Sequence, residues 1–173
     1  MEEGTQLYMF LIMKLILAMV VFFAMAAYAQ TDLIELCKSP DALKRRQIPA
    51  AIMLANDINA CDESGSTALM YARSPEIIEA LVKAGANVDA RDKDGMTAMR
   101  YAKSPEIVEA LVKAGADVNA SNNDGYTALI YQASLCENPA IISTLLNAGA
   151  NPKLKTNCGC TAFDQAKKQQ IYC

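Results

Sequence analysis

The sequence predicts an all-α solenoid of about five helix–loop–helix units, caps included, joined by hairpin loops. Three observations predict it. The chain repeats itself: DESGSTALMYARSPEIIEALVKAGANVDA from Asp62 aligns with DKDGMTAMRYAKSPEIVEALVKAGADVNA from Asp92, and a third copy opens at Asn122. Turn glycines recur at Gly65, Gly95, Gly125 and Gly159, at intervals of 30, 30 and 34 residues. Apolar residues fill 53% of 173 positions, with only 8 glycines and 6 prolines, a composition that buries a core rather than staying disordered.

The elements follow in order. Leu7 to Ala29 is apolar apart from Lys14, and Ala27-Tyr28-Ala29 has the small-x-small form that signal peptidase cleaves. Residues 1–29 are therefore expected to be a signal peptide cut before Gln30. Its true start is expected at Met13, because Glu2 and Glu3 are negative where such leaders are positive. The alternative is an uncleaved anchor that spans a bilayer with Lys14 snorkelling to the interface. The repeat domain then occupies 30–173, with units near 31–60, 61–90, 91–120 and 121–154 and a C-terminal cap at 155–173.

Within each unit the punctuation is local. Thr67, Thr97 and Thr127 each follow a turn glycine by two residues and precede an apolar run, as an N-cap does. Ser74-Pro75-Glu76 and Ser104-Pro105-Glu106 set a capping serine before a proline, which starts a second helix. That helix carries Ile77, Ile78, Leu81 and Val82 at helical spacing, and Gly85, Gly115 and Gly149 end its three copies. Asp94-Gly95 and Asp124-Gly125 supply hairpin chemistry. The first unit diverges: Pro49 starts or kinks its second helix, and Ala55-Asn56 stands where Gly-Ala closes the others. The last unit stops after one helix and reads as a polar cap, with Lys167 and Lys168 facing water.

Thr67-Ala68-Leu69-Met70-Tyr71-Ala72, Thr97-Ala98-Met99-Arg100-Tyr101-Ala102 and Thr127-Ala128-Leu129-Ile130-Tyr131 resemble the ankyrin repeat, whose T-P-L-H-x-A signature recurs about every 33 residues. The resemblance covers residues 31–173 and implies a protein–protein interaction module or adaptor without catalytic activity. Its departures carry expectations too. The signature histidine is replaced by Met70, Arg100, Ile130 and Asp164, so cohesion between units is expected to rest more on apolar packing. The 30-residue spacing is expected to tighten the loop between the two helices. In the family, the position held by Tyr71, Tyr101 and Tyr131 faces a concave groove that binds partners together with the hairpin tips. The candidate partner-binding set is Tyr71, Tyr101 and Tyr131 with Lys93, Met96, Asn123 and Tyr126 at the tips, tyrosine being a favoured binding anchor. Stacking of the three rings between units is the competing reading.

Other chemistries find little support. The chain has no histidine, which excludes histidine-paired nucleophiles and histidine-ligated metals. Its net charge of −3 points to no nucleic-acid partner. Glu76 with Glu79 and Glu106 with Glu109 recur in register and read as solvated helix faces, as does Lys44-Arg45-Arg46. Asn119-Ala120-Ser121 is formally a glycosylation sequon, but Asn119 holds the hairpin asparagine position of the family pattern. No catalytic residue, cofactor or metal is expected, and the partner is another protein bound by a monomer. The place is periplasmic or secreted, with no membrane contact after cleavage.

The six cysteines behind an export signal suggest disulfides. The unit geometry implied by the resemblance puts Cys61, Cys158 and Cys160 on the hairpin side, and Cys37, Cys136 and Cys173 towards the helix–loop side. A Cys136–Cys173 disulfide that fastens the cap is the expected pairing, leaving Cys158 and Cys160 to each other or free. Two alternatives remain in function: a thiol/disulfide redox protein using Cys158-Gly159-Cys160, or a membrane-anchored ankyrin scaffold if the leader stays. The resemblance also implies one more role, protection of a periplasmic antioxidant enzyme such as catalase.

Overall fold

The computed structural model describes residues 33–39, 46–135 and 138–172. The expected leader, Lys44, Arg45, Cys136 and Cys173 lie outside the described residues. Among those described, seven α-helices and two 3₁₀ turns follow in order: α1 (Leu33–Lys38), α2 (Ile48–Leu54), the turn Ala68–Tyr71, α3 (Pro75–Lys83), the turn Ala98–Tyr101, α4 (Pro105–Lys113), α5 (Ala128–Leu135), α6 (Pro139–Asn147) and α7 (Ala162–Tyr172). They form two rows. One row stacks α1, the two turns, α5 and α7; the other stacks α2, α3, α4 and α6. This is the expected all-α solenoid.

A continuous core lies between the rows because each second helix turns one apolar stripe inward. Ile78 and Leu81 of α3, Val108 and Leu111 of α4, and Leu145 of α6 are almost wholly removed from water. Met99 and Ile130 meet them from the first row. Pro49 falls at the first turn of α2, so it starts that helix rather than kinking it. The glycines after α3, α4 and α6 have φ of +92°, +90° and +92°, the left-handed closure the sequence called for.

The threonine and serine caps work differently from expectation. Thr67 and Thr97 hold the N-cap position, but neither hydroxyl makes a capping bond. In a four-residue 3₁₀ turn the amides of Met70 and Arg100 already donate to the carbonyls of Thr67 and Thr97, each at 3.1 Å. At the start of the longer α5, Thr127 Oγ1 does accept from the Ile130 amide, at 3.2 Å. Ser74 and Ser104 sit at N-caps without capping, their hydroxyls engaged by Glu76 and Glu106. These bonds hold both carboxyls below the usual carboxylate range. In the cap, Asp164 stands at the signature-histidine position and accepts from the Thr161 amide at 2.9 Å, while Thr161 Oγ1 accepts from the Asp164 amide at 3.3 Å.

The short spacing acts on the helix as well as the loop. The two 30-residue units close their first element after a four-residue turn, whereas the unit spaced by 34 builds the eight-residue α5. A step is left where the third unit meets the fourth.

Cohesion between units has a polar part beside the apolar core. Asn59, Asp89 and Asn119 recur every 30 residues, and their side-chain oxygens accept from the amides of Asn87, Asp117 and Asn151 at 2.7, 3.0 and 2.7 Å. Along the hairpins, the amides of Lys93, Asn123 and Asn157 donate to the carbonyls of Ser64, Asp94 and Asp124 at 3.0, 3.1 and 2.8 Å. This polar ladder joins each unit to the next.

Candidate functional site

Hairpin aspartates position the tyrosines. Asp92 Oδ1 accepts from the amides of Asp94 and Met96 at 3.0 and 2.9 Å, closing the hairpin, while Oδ2 accepts from the Tyr101 hydroxyl at 2.6 Å. Asp62 repeats the arrangement one unit earlier: Ser64 and Ser66 bond Oδ1, and the Tyr71 hydroxyl bonds Oδ2 at 3.0 Å. Lys38 also reaches Asp62 Oδ2, at 2.9 Å. The bonds from Ser64 and then Lys38 hold the Asp62 carboxyl well below the usual range, and the bond to Asp62 pushes the Lys38 ammonium up. In the fourth unit Asn122 takes the aspartate's place and bonds the amides of Asp124 and Tyr126. No hydrogen bond from it to Tyr131 occurs among the described residues.

The tyrosine rings are half-buried, and cations lie against them. Lys38 Nζ lies 4.7 Å from the Tyr71 centroid, and the Arg100 guanidinium lies 4.7 Å from Tyr101 and 3.9 Å from Tyr131. Burial first, then the Asp92 bond and charge, push the Tyr101 hydroxyl up to about 12.

The tyrosines nevertheless open onto clefts. Tyr101 and Tyr131 line one of about 620 Å³ between the third and fourth units, and Tyr71 and Tyr101 line a second of about 360 Å³ between the second and third. Arg73, Arg100 and Lys103 stand in these walls. Sequence reasoning passed over Arg73 and Lys103, though their identical register 30 residues apart was visible.

The tip residues separate. Lys93 is exposed and Met96 half-buried. Asn123 is exposed and bonds across to the preceding unit, its Nδ2 donating to the Lys93 carbonyl at 3.2 Å. Tyr126 holds the cap, its hydroxyl accepting from Gln165 Nε2 at 3.2 Å. Asn119 likewise bonds the Gly149 carbonyl and the Asn151 amide, a structural role at the sequon position. Cys158, exposed, and Cys160, half-buried, are unbridged thiols here, with Lys168 Nζ 3.3 Å from Cys160 Sγ. The Cys136–Cys173 pair lies outside the described residues.

A family model described as ankyrin repeats (3 copies) matches residues 25–122 and 73–156. A comparison with curated proteins found no match.

Proposed function

The chain belongs to the ankyrin-repeat family, and on that premise we propose that it is an exported, non-catalytic adaptor that binds a partner protein on its first-row face. Ankyrin repeats generally mediate protein–protein interaction, and the family is typically without catalytic activity. The observation that carries the reading is the pair of adjoining clefts lined by Tyr71, Tyr101 and Tyr131. Two of these rings are fixed by hairpin carboxylates before any partner arrives. Such preorganisation lowers the conformational entropy lost on binding. Export from a cleaved leader over residues 1–29, a periplasmic or secreted location, and a cap fastened by Cys136–Cys173 belong to the same proposal.

Tyr131 gives the cleanest test, because no hairpin carboxylate depends on its hydroxyl among the described residues. Affinity capture with the wild-type chain should recover a partner that Tyr131→Ala loses, at an unchanged unfolding midpoint. Equal recovery by both proteins contradicts the proposal. Cys158 and Cys160 favour a second reading, a thiol redox protein, since both are unbridged and Lys168 neighbours Cys160. A protein whose partner capture survives Cys158→Ser and Cys160→Ser does not act through that pair.

A further inference from the structure

The step between the third and fourth units creates the larger cleft. The turn Ala98–Tyr101 ends where α5 runs on to Leu135, so the longer helix overhangs the shorter element. Gln132, buried at 6% exposure, spans the step and donates to the Ala102 carbonyl at 3.2 Å. The wall formed this way carries Arg100 and Lys103, and no carboxylate lines it among the described residues.

These cations have no ion-pair partner among the described residues, unlike Lys38 and Lys113, which meet Asp62 and Glu79. Asp92, the acid that holds Tyr101, is already occupied by that hydroxyl and two hairpin amides. Arg100 is held in place by Tyr101 and Tyr131, and its Nε is buried without an acceptor. A guanidinium oriented by two rings, with no counter-charge among the described residues, is a recognition feature for carboxylates.

The neighbouring cleft continues the pattern. Arg73 lines it with Tyr71, and Lys103 and Tyr101 line both clefts, so the two join into one basic track. A small anion would need only one of them. A track across two unit boundaries suits an extended chain that places acidic side chains at intervals.

Resting on the partner-binding reading above, we propose that the track from Arg73 through Lys103 to Arg100 binds an extended acidic segment of the partner protein. One carboxylate of that segment sits at Arg100, beside Tyr101 and Tyr131.

The test uses a short fluorescent peptide alternating Glu and Ala, its Gln–Ala counterpart and sodium succinate. The Glu peptide should bind the full chain, the Gln peptide at least about tenfold more weakly, and succinate should not compete at matched carboxylate concentration. Lys103→Gln, at an exposed position outside the core, should weaken the Glu peptide about tenfold, and Arg100→Gln at least as much. Glu137→Gln, which removes the acid next in sequence to the lining residue Asn138, should keep or strengthen binding. Equal affinity for the Glu and Gln peptides, indifference to Lys103→Gln, weakening by Glu137→Gln, or competition by succinate overturns the acidic-segment proposal. Any of these leaves the broader partner reading to its own capture experiment with Tyr131→Ala.

Discussion

The Tyr101 hydroxyl donates to Asp92 Oδ2 at 2.6 Å, while the other oxygen of that carboxylate closes the hairpin of the same unit. One aspartate thus joins the hairpin to the first-row face. Tyr101→Phe removes the bond while keeping the ring beside Arg100. The loss should be about 1–2 kcal/mol, a charge-assisted bond discounted for partial exposure. Urea denaturation checks it, and an unchanged midpoint would show that the bond adds nothing.

The same bond predicts a pH dependence. Burial and Asp92 raise the Tyr101 hydroxyl from 10.0 to about 12, whereas the unfolded chain ionises near its ordinary value. The group's contribution is therefore complete below 10.0 and is lost as pH rises through about 12. Wild-type and Tyr101→Phe stabilities should converge across that window. Denaturation midpoints taken at neutral and alkaline pH decide it.

Asn119 is a rung between the third and fourth units, accepting from the Asn151 amide at 2.7 Å and donating to the Gly149 carbonyl at 3.2 Å. Asn119→Ala should cost about 1–2 kcal/mol. Its sharper signature is local: the Asn151 amide should lose hydrogen-exchange protection, while the equivalent Asn87 amide, held by Asn59, keeps its own.

Two glycines with similar backbone angles should respond differently. Gly85 has φ of +92° and open space where a Cβ would stand, so Gly85→Ala carries only the left-handed penalty of about 1–2 kcal/mol. Gly95 has φ of +80°, and a Cβ there would meet Asn123 Oδ1 at 2.5 Å and the Asn123 amide nitrogen at 3.0 Å. Gly95→Ala should lose about 1 kcal/mol more, because the hairpin rung must shift. Equal denaturation midpoints for the two variants would refute the close approach.

Much of the fold was legible because it is local and repeated. Ser-Pro starts, glycine stops and the apolar stripes of α3 and α4 need no distant contact to be read. The capping hydroxyls were misjudged because residue type marks a position, whereas the partner depends on whether the element is a 3₁₀ turn or an α-helix. Thr97 and Thr127 show the difference. The ladder of Asn59, Asp89 and Asn119 was present in the 30-residue register, but only Asn119 was singled out, as a hairpin asparagine. Tyr71 and Tyr101 were found from spacing, yet their bonds to Asp62 and Asp92 span nine residues and required the folded hairpin to be seen. The basic track was hidden for another reason. Arg100 gains its place from Tyr131 of the next unit, and the cleft exists only because α5 outruns its neighbour.

The account's central claim, a partner bound on the first-row face, is tested most directly by site-specific photo-cross-linking in cells. A benzophenone amino acid would replace Tyr131 in one variant and exposed Lys83, at the end of α3 in the other row, in a second. The claim predicts a discrete adduct from position 131 and none from position 83; suppression of that adduct by Lys103→Gln is the added expectation of the acidic-segment proposal alone. An adduct from position 83 alone, with position 131 silent in a folded protein, would contradict it.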